Sequence, residues 1–218
     1  MAVANNAGCL AVLLVVVAAT FMAQPQAEAP SPSPAAAAGA GGGPAASPAA
    51  LEFLRRRCNP GPDIMKEKYV GYCYDSLLPR AGSFNGSRLR VVGAAVEVLV
   101  ANFRSLLAEL RRLKSTSGGG AAYKLGECID LASAMCGEKV PPDPYLARVR
   151  SLAASGDDGA VQTLIDIDLW LEEDVFTRYE RCETDVEKIP NVKTLLPTMA
   201  LMNSSIETCF GLVEGYEQ

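Results

Sequence analysis

The chain has 218 residues, with 20 Lys and Arg against 25 Asp and Glu, seven Cys, one Trp and no His. The missing histidine removes every Ser-His-Asp and Cys-His mechanism, most catalytic zinc sites and the usual base at neutral pH. A net charge of −5 argues against a nucleic-acid partner, which would want a basic surface.

The first element is an address. Residues 1–23 read as a signal peptide, because Leu10 to Met22 is an uninterrupted apolar run that suits a leader and is short for a membrane span. Residues 24–50 are almost all Ala, Pro, Gly and Ser. Such a segment has no large apolar side chain to bury and reads as a disordered linker. A single folded domain is then expected over 51–218.

Two short helical patterns come next, Leu51–Arg57 and Ile64–Leu77, with a turn at Asn59-Pro60-Gly61-Pro62 between them. In the following segment Leu89, Val92, Val96, Leu99, Phe103, Leu106, Leu110 and Leu113 step by three and four. That spacing predicts a helix over 87–115, with Ser87 as its N-cap, ended by the STSGGG run. The next helix comes in two pieces, Tyr123–Cys136 (Leu125, Ile129, Ala132, Cys136) and Tyr145–Ala154, interrupted by GEKVPPDP. Leu164, Ile167, Leu171, Val175, Tyr179 and Cys182 line one face of a helix over 159–182. A last helix over 191–215 carries Val192, Leu195, Met199, Met202, Ile206, Cys209 and Val213, and Pro197 should kink or split it near its start. No stretch alternates long enough to be a strand. The economical packing is all-α: an antiparallel four-helix bundle preceded by a helical hairpin.

Cys9 lies in the leader, and six cysteines in a secreted chain suggest disulfides whose pairing stays open. A fold-back near Gly156 would bring Cys128 and Cys182 to similar heights on neighbouring helices, and a clasp between Cys58 and Cys73 would tie down the small hairpin. Cys136 and Cys209 occupy apolar faces, which predicts a third bridge despite a height offset of about 13 Å. No CxxC pair suggests a metal or redox site.

Asp166, Asp168, Glu172, Glu173 and Asp174 alternate with apolar residues at helical spacing, so they read as a solvated acidic face and not as a calcium loop. Asn85-Gly86-Ser87 and Asn203-Ser204-Ser205 match the glycosylation acceptor, with Asn85 in a loop and Asn203 on a helix flank. Residues 157–187 are strongly acidic and 80–114 basic, which predicts helices of opposite sign lying side by side.

The order and spacing of several elements carry a resemblance. Cys58, Tyr69 and Cys73 precede the Val91-Val92-Gly93-Ala94-Ala95-Val96 helix. Leu125 and Cys128 follow, then Trp170-Leu171 ahead of Cys182, then Met199–Asn203. Together these resemble the plant invertase and pectin methylesterase inhibitor family. The resemblance implies a hairpin closed by Cys58–Cys73, a bundle bridged by Cys128–Cys182, no cofactor and no catalytic residues. It implies a secreted inhibitor of the extracellular space and cell wall, with no membrane contact after leader cleavage. The implied partner is pectin methylesterase, or acid invertase, in a 1:1 complex. The Pro-Lys-Phe segment by which the family's invertase inhibitors reach the sucrose pocket is absent near Cys182, which favours pectin methylesterase. The contact residues are not identified by the sequence. A helical cell-wall binding module without inhibitory activity is the competing expectation.

Overall fold

A computed structural model describes residues 46–138, 147–148, 161–189 and 192–215. The leader, most of the linker and the Tyr145–Ala154 piece, apart from Ala147 and Arg148, lie outside the described residues. Within them the elements are α1 (Pro48–Cys58), α2 (Glu67–Leu77), a 3-10 helix (Leu78–Ser83), α3 (Arg88–Thr116) and α4 (Gly119–Met135). Then come α5 (Val161–Trp170), a π-helical turn (Leu171–Phe176), α6 (Thr177–Glu187), a 3-10 turn (Val192–Thr194) and α7 (Leu196–Glu214). No strand occurs among the described residues. The fold is all-α.

Local chemistry explains most boundaries. Helix α1 starts earlier than the expected Leu51, inside the stretch read as linker. There Ser47 Oγ accepts from Ala50 N at 3.2 Å and Pro48 sits in the first turn. Ser87 caps α3 in the same way, accepting from Arg90 N at 3.2 Å. Helix α4 departs from expectation. Its buried face is Leu125, Cys128, Leu131, Ala132 and Met135, which leaves Ile129 and Cys136 only half-buried at the rim.

The acidic helix expected over 159–182 is, from Val161, one continuous element to Glu187 with a wide turn inside it. In that turn Thr177 Oγ1 donates to Glu172 O at 2.9 Å. The extra residue of a π turn lets Trp170 and Leu171 both be buried without breaking the seam through Leu164, Ile167, Val175, Tyr179 and Cys182. Pro197 falls in the first turn of α7, and the chain before it winds as a 3-10 turn, so the expected split is real.

Four helical units close a bundle. Helix α3 packs against α4 and α7, and α5–α6 fills the remaining side between α4 and α7. The α3 and α5–α6 helices are therefore diagonal and not side by side as their opposite charges suggested. Arg80 pairs with Glu97, Arg111 with Glu138 at 2.5 Å and Arg148 with Asp166 at 2.7 Å.

Two disulfides stitch this frame. Cys58–Cys73 joins α1 to α2 with Cα atoms 5.6 Å apart, and Cys128–Cys182 joins α4 to α6 at 5.1 Å. The third bridge is not formed: neither Cys136 nor Cys209 is in a disulfide. Cys136 sits at the C-cap of α4 and Cys209 is fully buried on α7. These helices are diagonal across the bundle, a separation that adds to their height offset.

The hairpin does not project from the bundle. Helix α2 packs on α3 and α7, and three contacts fix it there. A Cβ on Gly211 would come within 2.5 Å of Met65 Cε, and one on Gly215 within 3.0 Å of Pro60 Cβ, so α7 is glycine where the hairpin loop presses on it. The third contact is polar. Tyr72 OH lies 2.6 Å from Ser205 Oγ, and Asn102 Nδ2 donates to Tyr72 OH at 2.8 Å and to Ser205 Oγ at 2.5 Å. Ser205 spends its own proton on Leu201 O at 2.9 Å, so Tyr72 must be the donor of the pair. Every donor hydrogen of the three side chains that points into the cluster then has an acceptor.

Helix α3 is long and apolar enough to cross a membrane, with a mean hydropathy of 1.6 over its best window. Two-thirds of that window is buried inside the domain, as the core helix of a soluble bundle would be.

Loop-closure entropy sets the expected cost of losing each bridge. It is about 4 kcal/mol for the 54-residue Cys128–Cys182 loop and about 3 kcal/mol for the 15-residue Cys58–Cys73 loop. The Cys128→Ser/Cys182→Ser variant should therefore have the lower urea midpoint, while the Cys58→Ser/Cys73→Ser variant keeps most of its far-UV helical signal. Tyr72→Phe leaves one Asn102 N–H without an acceptor and should cost about 1–3 kcal/mol in the same titration, with no change in helicity.

Candidate functional site

The chemistry available to the described side chains is that of a surface, not of a reactive cleft. No group of three or more His, Cys, Asp or Glu is placed to hold a metal among the described residues. The hydroxyl and amide cluster of Tyr72, Asn102 and Ser205 spends its hydrogens within itself and on Leu201 O, and burial pushes the Tyr72 phenol above its ordinary value. Tyr179 is buried too, donates to Met199 O at 2.7 Å, and titrates far above the usual range for the same reason. Burial also lifts the Cys209 thiol to about 12, which leaves no thiolate at neutral pH.

The residues singled out in the sequence are scattered. Asn85 is exposed at the turn before α3, with φ 51°, followed by Gly86 at φ 77°. Asn203 is half-buried on α7, whereas the hydroxyls of both triplets are buried, Ser205 in the polar cluster and Ser87 as the cap of α3. The two triplets are thus unequal as modification sites. Of the five carboxylates, Glu172 and Glu173 are exposed on the π turn and Asp166 is paired to Arg148.

A surface feature not singled out in the sequence lies beside those acids. Val161, Ile165 and Leu169 form a straight line along α5 and are 50%, 43% and 49% exposed. Their spacing of four was visible in the sequence, but the stronger Leu164–Ile167–Leu171 face concealed it. With Glu172 and Glu173 at its end and Asp168 alongside, the stripe has an apolar centre and an acidic border. A second concavity of about 220 Å³ lies over the bundle bridge between α4 and α6, lined by Glu127, Asp130, Arg178 and Arg181. Carrying both signs, it favours neither cations nor anions.

Comparison with known proteins adds one relative. No family model matches the chain, and no solved structure matches it. A rice protein (Oryza sativa subsp. japonica), described as uncharacterized, is 28% identical over 128 residues, covering 59% of this chain and 56% of its own length. The chain thus spans little more than half of that relative. A helical domain with two disulfides fits an oxidising compartment.

Two carboxyls on the acidic side titrate high. Glu183 on α6 is raised by burial first and then by Glu187 and Glu180; Glu214 on α7 is raised by burial, then by Asp168 and Glu207. A carboxyl with a higher value in the folded chain than in the unfolded one stabilises fully below the unfolded value. That contribution is lost as pH rises through the folded value. The domain should therefore melt higher near pH 5 than near pH 7. Glu183→Gln/Glu214→Gln should raise the melting temperature at pH 7 and reduce this difference, which a thermal scan at the two pH values would measure.

Proposed function

We propose that the chain is a secreted protein inhibitor of a cell-wall carbohydrate-active enzyme, with pectin methylesterase as its target. The observation that carries this reading is the pairing of a bridged hairpin with a bridged four-helix bundle. Cys58–Cys73 and Cys128–Cys182 are the two bonds that the resemblance to the invertase and pectin methylesterase inhibitors implies. The similarity to a rice protein fits a plant source. The role needs no catalysis: a rigid domain covers a cleft, and little interface ordering has to be offset on binding because the bundle is already stitched.

The surface with the make-up of a contact centre is the Val161–Ile165–Leu169 stripe, since interfaces favour an apolar middle with a polar rim. Its acidic border calls for a target surface bordered by Lys and Arg. Acid invertase is the second reading, weakened by the absent Pro-Lys-Phe segment, and a non-inhibitory wall-binding module is the third.

The test is a titration of the oxidised chain, purified from a secretory host, into plant pectin methylesterase and into cell-wall invertase. Pectin methylesterase activity should fall to a plateau near one inhibitor per enzyme. Leu169→Asp should weaken that inhibition at least tenfold, about 1.4 kcal/mol, without lowering the melting temperature. Inhibition of invertase alone would move the target to the second reading. No effect on either enzyme at micromolar concentration would leave the wall-binding module.

A further inference from the structure

The turn that carries Asn85 also forms one wall of a cleft of about 360 Å³. Asn85 and Gly86 stand on one side, Ala49 and Ala50 at the start of α1 on the other, and Phe53 is its aromatic residue. The Arg57 guanidinium sits 5.6 Å from the centre of the Phe53 ring. Gly86 adds no side chain, and a Cβ built there meets nothing within 4 Å. The cleft is therefore small-walled, open and floored in part by a ring, directly against an exposed acceptor asparagine.

We infer that this cleft seats the first N-acetylglucosamine of a glycan attached to Asn85, with the apolar face of the sugar against Phe53. The inference rests on the secreted reading above, because the modification requires passage through the secretory pathway. Attachment forms a bond from Asn85 Nδ2 to C1 of the sugar and breaks that carbon's bond to the diphosphate of a lipid-linked oligosaccharide donor. The lipid diphosphate leaves, and the amide gives up one proton.

The geometry suits a tethered ligand better than a free one. A shallow cleft offers too little contact to hold a loose sugar against its translational entropy. A sugar fixed to the cleft wall has already met most of that cost, so a single stacking contact suffices. Ser47 also lines the cleft, and its hydroxyl, which accepts from Ala50 N, still has its own proton to donate to the sugar's polar edge. Seated there, the sugar bridges the start of α1 to the turn before α3, two segments joined in the chain only through the whole hairpin. The second triplet is the internal control. The hydroxyls of both triplets are buried, Ser87 as the cap of α3 and Ser205 in the polar cluster, so the difference lies in the asparagines: Asn85 is exposed in a turn and Asn203 is half-buried on α7.

The experiment uses the full chain secreted from cultured plant cells, with glycans trimmed by endoglycosidase to a single N-acetylglucosamine. Peptide mass spectrometry should find the sugar on Asn85 and not on Asn203. The trimmed protein should melt about 2–4 °C above Asn85→Gln, the shift expected of a modest contact in a domain of this size. It should also show slower hydrogen exchange at the Ala50 and Leu51 amides. Phe53→Leu, which keeps apolar bulk but removes the ring, should abolish that increment. Sugar on Asn85 with no effect on melting or exchange overturns the inference and leaves the secreted reading intact. An increment unchanged by Phe53→Leu overturns the assigned seat. A chain that stays inside the cell without sugar overturns the secreted reading and this inference together.

Discussion

Helix α3 has more apolar surface than two neighbouring bundle helices can cover, and the rest of the domain is arranged around that excess. Its seam from Leu89 to Leu113 meets α4 and α7, but Val91, Ala95 and Asn102 repeat on another face and are also buried. That second face carries the Asn102 amide that holds Tyr72 of α2. The hairpin is the cover. A four-helix bundle alone would leave this stripe in water, and an isolated hairpin of this length would not fold. Each part supplies what the other lacks.

Specificity of the docking comes from polar and steric detail added to that apolar demand. The triangle of Tyr72, Asn102 and Ser205 satisfies its hydrogen bonds in one register only, because a shift of one residue along α2 would strand buried donors. Gly211 and Gly215 let the hairpin loop approach α7 closely, and any side chain at Gly211 would meet Met65. The Cys58–Cys73 bridge then removes the freedom of the two hairpin helices to separate. Cys128–Cys182 does the equivalent for α4 and α6, closing a loop of 54 residues.

Much of this was legible in the sequence because the seams are long. Eight apolar positions at steps of three and four leave no other period for α3, and the same holds for α7, where Pro197 marked the break correctly. What escaped is what a single-helix period does not encode. The buried face of α4 contains Leu131 and Met135 in place of Ile129 and Cys136, since its orientation is set by where α3 and α6 stand. The π turn after Trp170 leaves no compositional mark. The third bridge failed for a topological reason: helical faces can be read one at a time, but which pair lies on a diagonal cannot. The side-by-side placement imagined for α3 and the acidic helix failed for that same reason. Of the candidate surface, the acids were visible, whereas the Val161–Ile165–Leu169 line was masked by the core face beside it.

That diagonal has an electrical meaning. Arg104, Arg111, Arg112 and Lys114 are exposed along α3, while Glu172, Glu173, Glu180 and Glu187 are exposed on the helix across from it. The domain is therefore a dipole across its own width, with its net negative charge displaced to one side. In a polyanionic gel such a body is repelled by its net charge and is also turned, the arginines of α3 toward the matrix and the carboxylates away. The torque fades over a Debye length, about 10 Å at 0.1 M salt, so ionic strength would set how firmly the molecule is oriented.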